Sequence, residues 1–241
     1  MRKFGLIGFP LSHSFSKKYF TDIFLQEGID ALYENYPLTD VGQVKALFDD
    51  PLMEGINVTI PYKEAIISYL DDVSEAVKQI GACNCIRIKG GIRTGFNTDV
   101  IGFERSFEKK LKPHHQKALV LGTGGAAKAV LYVLKQRSIE ALQVSRTPSD
   151  TSITYGDLTA EMMNEYALVI NTTPVGMYPD THQCPLLPYD GIGEKHYLYD
   201  LVYNPAKSMF LQKGEDRAAS IENGHDMLII QADESRKIWN V

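Results

Sequence analysis

An apolar run passes directly into a glycine-rich turn and then into a helical pattern. Residues 118–121 are all apolar, the turn begins at Gly122, and the helical pattern extends from Ala126 to Lys135. Strands buried on both faces of a parallel sheet have continuous apolar sequences, and a strand that enters a helix through such a turn begins a doubly wound α/β domain. This segment therefore predicts a parallel sheet covered by helices.

The turn also has the spacing of a dinucleotide site. Gly122 allows a tight turn, Gly124 lets a pyrophosphate approach the backbone, and Ala127 lets the helix pack closely on the strand. The N–H groups at the start of the helix would face the anion. The alternative is a tight turn that binds no ligand. The residues assigned to the cofactor here are Gly122, Thr123, Gly124, Gly125 and Ala126.

The end of the next predicted strand favours NADPH over NADH. An NAD enzyme places Asp or Glu there to bind the ribose hydroxyls, whereas this chain has Ser145, Arg146 and Thr147. A guanidinium and two hydroxyls suit a phosphate group on the ribose. We therefore assign these three residues to the cofactor and predict NADP.

Another series of alternating strand and helix patterns precedes this one. In a chain of 241 residues, it indicates two domains. We predict an α/β fold with an N-terminal, mainly parallel α/β substrate domain and a Rossmann-type doubly wound dinucleotide-binding domain. The first takes residues 1–100 plus 227–241, since the last helix should pack back on it, and the second takes 101–226. A hairpin of residues 84–89 and 92–95 should lie at the edge of the first sheet.

Charge and composition argue against several classes of partner. The formal net charge is -5 and the basic residues are dispersed, which argues against nucleic acid. No apolar run approaches the roughly 20 residues needed to span a bilayer, so we predict a cytoplasmic protein without a membrane partner. Cys83, Cys85 and Cys184 lack the spacing of metal ligands, and no metal site is expected.

Polar side chains follow the predicted strands of the first half. Ser14 and Ser16 come after the first strand, where they would either bind a ligand or cap the next helix. Thr59 and Lys63 stand at the end of a later strand, although a lone Lys is usually a solvated surface residue. Asp99 either serves a site or caps the helix that follows it. Taken singly, these residues leave both interpretations open.

Together they belong to a longer series of motifs. In chain order the motifs are Ser14 with Ser16, Asn57-Val58-Thr59 with Pro61 and Lys63, Asn97-Thr98-Asp99, Gly122-Thr123-Gly124-Gly125-Ala126, Ser145-Arg146-Thr147, Asn171-Thr172-Thr173-Pro174-Val175-Gly176-Met177, Asp200-Leu201-Val202-Tyr203-Asn204-Pro205, and Met227-Leu228 with Gln231. The series covers almost the whole chain and resembles, in the same order, the shikimate dehydrogenase family.

The resemblance implies an NADP-dependent oxidoreductase acting on a CH–OH group. It would reversibly reduce 3-dehydroshikimate to shikimate, on the route to chorismate and the aromatic amino acids. Lys63 and Asp99 match the catalytic pair, in which the ammonium donates a proton and the carboxylate orients it. The implied substrate-binding residues are Ser14, Ser16, Thr59, Asn84, Tyr203 and Gln231. On the cofactor side the resemblance adds Thr172, Met177, Val202 and Gly224.

The chain departs from the family pattern at several positions. A second basic residue usually follows the Arg-Thr pair, whereas Asp150 stands here, and we expect its charge to weaken the preference for NADP. Cys85 replaces a common Thr, and Asp233 replaces a small residue. The chain is also shorter than most relatives, chiefly between residues 147 and 171 and at the C-terminus.

Other functions stay open. Asp150 favours a quinate/shikimate dehydrogenase that uses NAD. A catalytically silent relative that binds a nucleotide as a sensor is a second alternative, against which Lys63 and Asp99 argue. A folate-linked dehydrogenase of similar two-domain plan suits the serine pair less well. The sequence is compatible with a monomer or a homodimer.

Overall fold

The protein is described by a computed structural model that covers residues 1–11 and 15–241. It divides into two compact units, one formed by Met1–Thr98 with Gln231–Val241 and one by Asp99–Ile230. The sequence predicts the boundaries after residues 100 and 226. In the structure the second unit begins two residues earlier, at Asp99, and ends four residues later, at Ile230.

The first unit is built on a six-stranded sheet. Its strands are β1 (Arg2–Gly8), β2 (Ala31–Pro37), β3 (Met53–Val58), β4 (Asp72–Val73), β5 (Cys85–Lys89) and β6 (Ile92–Phe96). They lie in the order β2-β1-β3-β5-β6-β4. Strand β1 is parallel to β2 and β3, whereas β5 is antiparallel to β3 and β6. The helices are α1 (Phe15–Gln26), α2 (Lys45–Phe48) and α3 (Glu75–Ile80).

The hairpin of β5 and β6 lies inside this sheet, so its predicted position at the edge was wrong. The edge is β4, which pairs in parallel with β6 through Asp72–Thr94 and Val73–Gly95. A strand of two residues is too short to show an alternating pattern, so it could not be predicted from the sequence.

Side chains of the first unit alternate between two cores, one on each face of the sheet. Ile7 and Ile86 face one core, and Phe4 and Cys85 face the other, as the period of two in a strand requires. Trp239 closes the second core. Its ring stacks on Phe4 with centroids 5.0 Å apart, and its indole N–H donates to the carbonyl of Ile86 at 2.8 Å.

The close approach of Trp239 depends on a glycine in the central strand. A Cβ built on Gly55 would lie 2.3 Å from the indole nitrogen of Trp239, well inside contact distance. Any larger residue would displace the ring. This contact is one of those that hold the last helical segment on the first half of the chain.

The second unit contains a fully parallel sheet. Its strands are β7 (Lys117–Leu121), β8 (Glu140–Ser145), β9 (Ser152–Thr154), β10 (Leu168–Asn171), β11 (Tyr197–Asp200) and β12 (Ser220–Glu222). They lie in the order β9-β8-β7-β10-β11-β12, and every pair is parallel. This is the 3-2-1-4-5-6 order of a Rossmann-type doubly wound sheet, whose switch point lies between β7 and β10. The prediction of this fold is confirmed.

Helices of the second unit cover this sheet. They are α4 (Asp99–Phe107), α5 (Gly125–Gln136), α6 (Ala160–Glu165), α7 (Met209–Glu215) and the first part of α8 (His225–Trp239). The sequence missed β9 and β12, since each has only three residues. In the part of the chain that the structure describes, no helix has both the length and the apolar character needed to cross a membrane.

Candidate active site

The glycine-rich turn after β7 is held against the loop after β10. Gly122 has a φ of 109°, a conformation that favours glycine, and a Cβ there would lie 2.7 Å from the hydroxyl oxygen of Thr172. That hydroxyl donates to the carbonyl of Leu121 at 2.6 Å. Gly122 and Thr172, both assigned to the cofactor, therefore meet at the switch point of the sheet.

The next glycine of the turn borders open space. Gly124 caps α5, and a Cβ built on it would meet no atom within 4 Å among the described residues. The protein's own packing therefore does not require glycine at this position, whereas a pyrophosphate lying on the backbone would. Ala127, in the first turn of α5, is fully buried, as the fingerprint predicts. The residues present fit a dinucleotide at this end of the sheet.

An open groove of about 600 Å³ lies beside the start of α5 and the end of β8. Polar side chains on its walls include Thr123, Lys128, Ser145, Arg146 and Thr147. The structure thus brings together the three residues predicted to hold a ribose phosphate. It adds Lys128, which the sequence analysis did not select because a lysine in a helix is ordinarily a solvated residue.

Asp150 lies outside the walls of that groove. It is exposed in a tight turn in which the hydroxyls of Ser149 and Ser152 are 2.8 Å apart. The structure therefore gives no support to the expectation that its carboxylate opposes a phosphate in the groove. The turn points to a solvated residue instead.

A buried carboxylate joins the loops that follow β10 and β11. Asp200 is fully buried, and its Oδ1 accepts from the side-chain amide of Asn171 at 2.9 Å and from the N–H of Val202 at 3.0 Å. Its Oδ2 accepts from the hydroxyl of Ser208 at 2.5 Å. Burial raises the pKa of Asp200 to about 6, although these hydrogen bonds oppose the shift.

Asn171 extends the same network into the loop that carries Thr172. Its Oδ1 accepts from the N–H and the hydroxyl of Thr173 at 3.1 and 2.6 Å. Because a single buried amide–carboxylate pair fixes both loops, their conformations are coupled. Neither residue was assigned to the site from the sequence, although both stand within the motifs quoted above.

The remaining residues assigned from the resemblance in this unit occupy different environments. Met177 is exposed and Tyr203 is half-buried, and burial raises the pKa of the Tyr203 hydroxyl. Val202 is buried, and its carbonyl accepts from the N–H of Gly224 at 3.2 Å. A Cβ on Gly224 would lie 2.1 Å from the carbonyl oxygen of Leu201, so only glycine fits there.

In the first unit, Thr59 and Lys63 follow the central strand β3. The N–H of Thr59 donates to the carbonyl of Ile7 at 2.9 Å, and a Cβ on Gly8 would lie 2.4 Å from the Thr59 methyl group. Gly8 thus lets the Thr59 side chain lie over the end of β1. The carbonyl of Lys63 accepts from the N–H of Cys83 at 2.7 Å, which holds the Lys63 backbone next to Asn84.

A chain of buried hydrogen bonds begins at Ser16. The hydroxyl of Tyr33 forms a hydrogen bond with Ser16, and burial raises the pKa of that tyrosine well above its usual value. The Tyr33 hydroxyl also donates to Oδ1 of Asn57 at 2.9 Å. The amide of Asn57 in turn donates to the hydroxyl of Ser235 at 3.0 Å, and its nitrogen lies 3.3 Å from the carbonyl of Asn84.

Asn84 and Gln231 meet through Thr98. Oδ1 of Asn84 accepts from the N–H of Thr98 at 2.6 Å, and its amide donates to the Thr98 hydroxyl at 3.0 Å. That hydroxyl lies 3.3 Å from Oε1 of Gln231 and can donate to it. Three residues assigned to the substrate, Ser16, Asn84 and Gln231, therefore belong to one polar network. Tyr33, Asn57 and Thr98 hold it together.

Ser14 lies outside the described residues. Asp99 is buried and is the first residue of α4, so it stands inside the helix rather than at the cap position considered from the sequence.

The structure also accounts for two departures from the family pattern. Asp233 accepts from the hydroxyl of Tyr19 at 2.6 Å and so ties α8 to α1. Cys85 is fully buried next to Ser235, and burial raises the pKa of its thiol. Among the residues that the structure describes, no group of three or more His, Cys, Asp and Glu side chains is suited to hold a metal ion.

Comparison with known proteins agrees with both units. The family model described as the shikimate dehydrogenase substrate binding domain matches residues 6–86. The shikimate dehydrogenase (NADP+) of Caldicellulosiruptor saccharolyticus is 35% identical over 257 residues, covering 99% of this chain and 92% of that protein. The chain belongs to the shikimate dehydrogenase family.

Solved structures of shikimate dehydrogenases have the same fold. That of the Aquifex aeolicus enzyme superposes with a TM-score of 0.89 at 31% identity, covering 100% of this chain and 92% of the other. The Thermus thermophilus shikimate 5-dehydrogenase, solved in complex with NADP(H) and shikimate, gives 0.87 at 30% identity and covers 99% and 93% of the two chains. The recognition of the family from its motifs is therefore confirmed.

Proposed function

We propose that the protein is a shikimate dehydrogenase that interconverts 3-dehydroshikimate and shikimate with NADP(H). The observation that carries the proposal is the buried network that gathers Ser16, Asn84 and Gln231 in a unit that matches a substrate-binding family. Curated relatives at 35% identity carry the name shikimate dehydrogenase (NADP+), and the parallel sheet of the second unit supports a dinucleotide. The enzyme thus acts as an oxidoreductase on a CH–OH group.

Lys63 donates the proton in this reaction. When bound, NADPH supplies a hydride to the ketone carbon, which leaves an alkoxide on the oxygen. The Lys63 ammonium protonates this oxygen and is later reprotonated from solvent, so that one proton and one hydride are consumed for each shikimate formed. Asp99 orients the ammonium and a substrate hydroxyl. The reverse reaction uses neutral Lys63 as the base.

Neutral hydrogen-bonding groups hold the substrate. Ser14 and Ser16 bind the carboxylate, while Thr59, Asn84 and Gln231 bind ring hydroxyls, with Tyr203 nearby. The network supports this division because Thr98 and Tyr33 fix the directions of the Asn84, Gln231 and Ser16 side chains before substrate binds. Preorganised neutral donors bind an anion without placing a second cation beside Lys63.

The second unit binds the cofactor through the residues named in the sequence analysis. The turn at Gly122 and Gly124 accepts the pyrophosphate, and Ser145, Arg146 and Thr147 accept the ribose phosphate. We assign Thr172, Met177, Val202 and Gly224, which follow β10, β11 and β12, to the nicotinamide half of the cofactor. We assign the enzyme to the cytoplasm and to the route to chorismate and the aromatic amino acids, acting as a monomer or a homodimer.

An absorbance assay at the nicotinamide band tests the proposal. The purified protein is given shikimate or quinate with NADP or NAD, and kcat/KM is measured for the four pairs. The highest value is expected for shikimate with NADP. A higher kcat/KM for quinate with NAD would support the alternative enzyme. No reduction of either cofactor, with NADP still bound in titration calorimetry, would support the catalytically silent alternative.

A further inference from the structure

The groove beside α5 contains a second cation. Lys128 lines the same wall region as Arg146 and Ser145, although it lies 18 positions earlier in the chain. The backbone N–H of Lys128 donates to the carbonyl of Gly124 at 3.1 Å, which places Lys128 at the end of the first turn of the helix. Side chains of a helix lean toward its N-terminus, so the Lys128 side chain extends back toward the glycine-rich turn.

The side chain is also partly fixed. Lys128 is half-buried, in contrast to Lys135 on the same helix, which is exposed. A half-buried lysine ordinarily packs its aliphatic stem on apolar surface and keeps the ammonium in polar surroundings, where it can hold an anion. No acidic side chain lies on the walls of the groove within the described part of the chain.

We propose that Lys128 acts with Arg146 as the second cation for the 2′-phosphate of NADP. This inference rests on the proposed use of NADP. The family pattern leads us to expect a second basic residue after the Arg-Thr pair, where exposed Asp150 stands in this chain, and the inference gives that role to a residue of the helix. Lys128 is therefore a specificity-determining residue of this chain.

Charge supports this arrangement. A ribose phosphate carries close to two negative charges at neutral pH. Arg146 supplies one positive charge and a fork of N–H donors, and Lys128 supplies the second charge as a compact donor. Ser145 and Thr147 add hydroxyls. With Asp150 outside the groove, the site has two cations for one dianion and therefore needs no second basic residue in the loop.

A different anion in reach of the same helix is the cofactor pyrophosphate. If the Lys128 ammonium contacted the pyrophosphate, it would contribute equally to the binding of NADP and NAD, since both carry that group. The two assignments are separated by ligands that differ only in the 2′-phosphate, namely adenosine 2′,5′-bisphosphate and adenosine 5′-monophosphate.

The test is calorimetric titration of the full chain with these two ligands at fixed salt. The variants are Lys128→Met, which removes the charge and keeps an unbranched side chain of similar helix propensity, and Lys135→Met as a matched control on the same helix. Lys128→Met is expected to weaken binding of the bisphosphate about 10-fold and binding of the monophosphate less than about 2-fold. Lys135→Met should change neither by more than about 2-fold, and Lys128→Arg should restore most of the affinity.

Equal losses for both ligands in Lys128→Met, or no loss for either, would overturn the assignment. Thermal unfolding of each variant verifies that the fold is retained, and Lys128→Gln, which also removes the charge but keeps a polar side chain, is titrated in the same way if Lys128→Met unfolds. The titrations contain no shikimate. If the wild type bound the bisphosphate but did not oxidise shikimate, the proposed function would fail while the role of Lys128 stood.

Discussion

The side-chain amide of Asn171 donates to the carboxylate of Asp200 across 2.9 Å, and both residues are fully buried at the ends of adjacent parallel strands. Each residue is the last of its strand, so the pair stands where two loops leave the sheet. Ligands of doubly wound sheets bind at this end of the strands. Asn171 and Asp200 are accordingly positioning residues for the proposed cofactor site.

The pair makes stability depend on pH. Burial raises the pKa of Asp200 to about 6, whereas an aspartate in the unfolded chain has a pKa of about 3.9. The folded state therefore binds the proton more tightly, and the contribution of Asp200 to stability falls by up to about 3 kcal/mol as the pH rises from 4 to 7. Asp200→Asn should remove this dependence and retain the hydrogen bonds from Asn171 and Val202.

Urea unfolding at pH 4.5 and pH 7 measures the effect. The free energy of unfolding of the wild type minus that of Asp200→Asn should be larger at pH 4.5 than at pH 7. Asp190→Asn is a suitable control, since the Asp190 side chain is almost fully exposed. A difference between wild type and Asp200→Asn that does not change with pH would contradict the prediction.

Gly124→Ala should separate folding from cofactor binding. The new methyl group would enter open space, and loss of the glycine cap should cost about 1 kcal/mol of stability or less. The dissociation constant for NADP should rise at least about 10-fold, because the methyl group takes the place of the pyrophosphate. Titration calorimetry and thermal unfolding measure the two quantities.

Gly193→Ala is the control for that experiment, since a Cβ there also meets nothing nearby and the residue lies outside the glycine-rich turn. It should leave NADP binding unchanged. Unaltered NADP affinity in Gly124→Ala would place the pyrophosphate elsewhere.

Thr98→Val should impair substrate binding rather than cofactor binding. The change removes the hydroxyl that accepts from Asn84 and faces Gln231, and it leaves a buried amide with one partner fewer. We expect a loss of about 1–3 kcal/mol in stability and a KM for shikimate raised about 5- to 10-fold, with the KM for NADP within about 2-fold. Thr98→Ser keeps the hydroxyl and should have a KM for shikimate close to that of the wild type. Equal increases of the KM values for shikimate and NADP in Thr98→Val would refute a positioning role.

Lys63→Met should remove turnover while substrate still binds. Loss of one acid–base group lowers kcat by about 10²- to 10⁴-fold, since the proton is transferred in the transition state. The dissociation constant for shikimate should change much less. Lys78→Met, an exposed lysine on α3, is the matched control and should retain wild-type kcat. Near-normal kcat in Lys63→Met would exclude Lys63 as the proton donor.

Motifs with strong local constraints were readable from the sequence. The turn at Gly122 follows from backbone geometry, and the cation at Arg146 follows from the charge of the phosphate that it would bind. Each of these signals lies within a few residues of sequence. The parallel order of the second sheet follows from the alternation of strands and helices. The structure retains these features, apart from strands of two or three residues that are too short to show a pattern.

Residues that act through long-range contacts were not predictable. Tyr33 lies in an ordinary strand, and only the fold brings its hydroxyl to Ser16 and Asn57. Lys128 is separated from Arg146 by the rest of α5 and by β8, so sequence spacing could not relate them. Asp150 is exposed and is not among the side chains that line the groove, although Ser149 and Thr151 on either side of it are, and sequence position alone could not show this difference.

The contact between Trp239 and Phe4 makes the folding of the first unit depend on distant parts of the chain. Residues 99–230 form a unit whose core comes from one continuous segment. The first unit instead takes Trp239 and its hydrogen bond to Ile86 from a segment that the whole second unit separates from Phe4 in sequence. Limited proteolysis of a purified variant that ends at residue 230 should thus find the second unit protected and the first unit cleaved faster than in the protein of 241 residues. In that variant the core around Phe4 would lack the ring that closes it, so the two units differ in how much of the chain each one needs before it can fold.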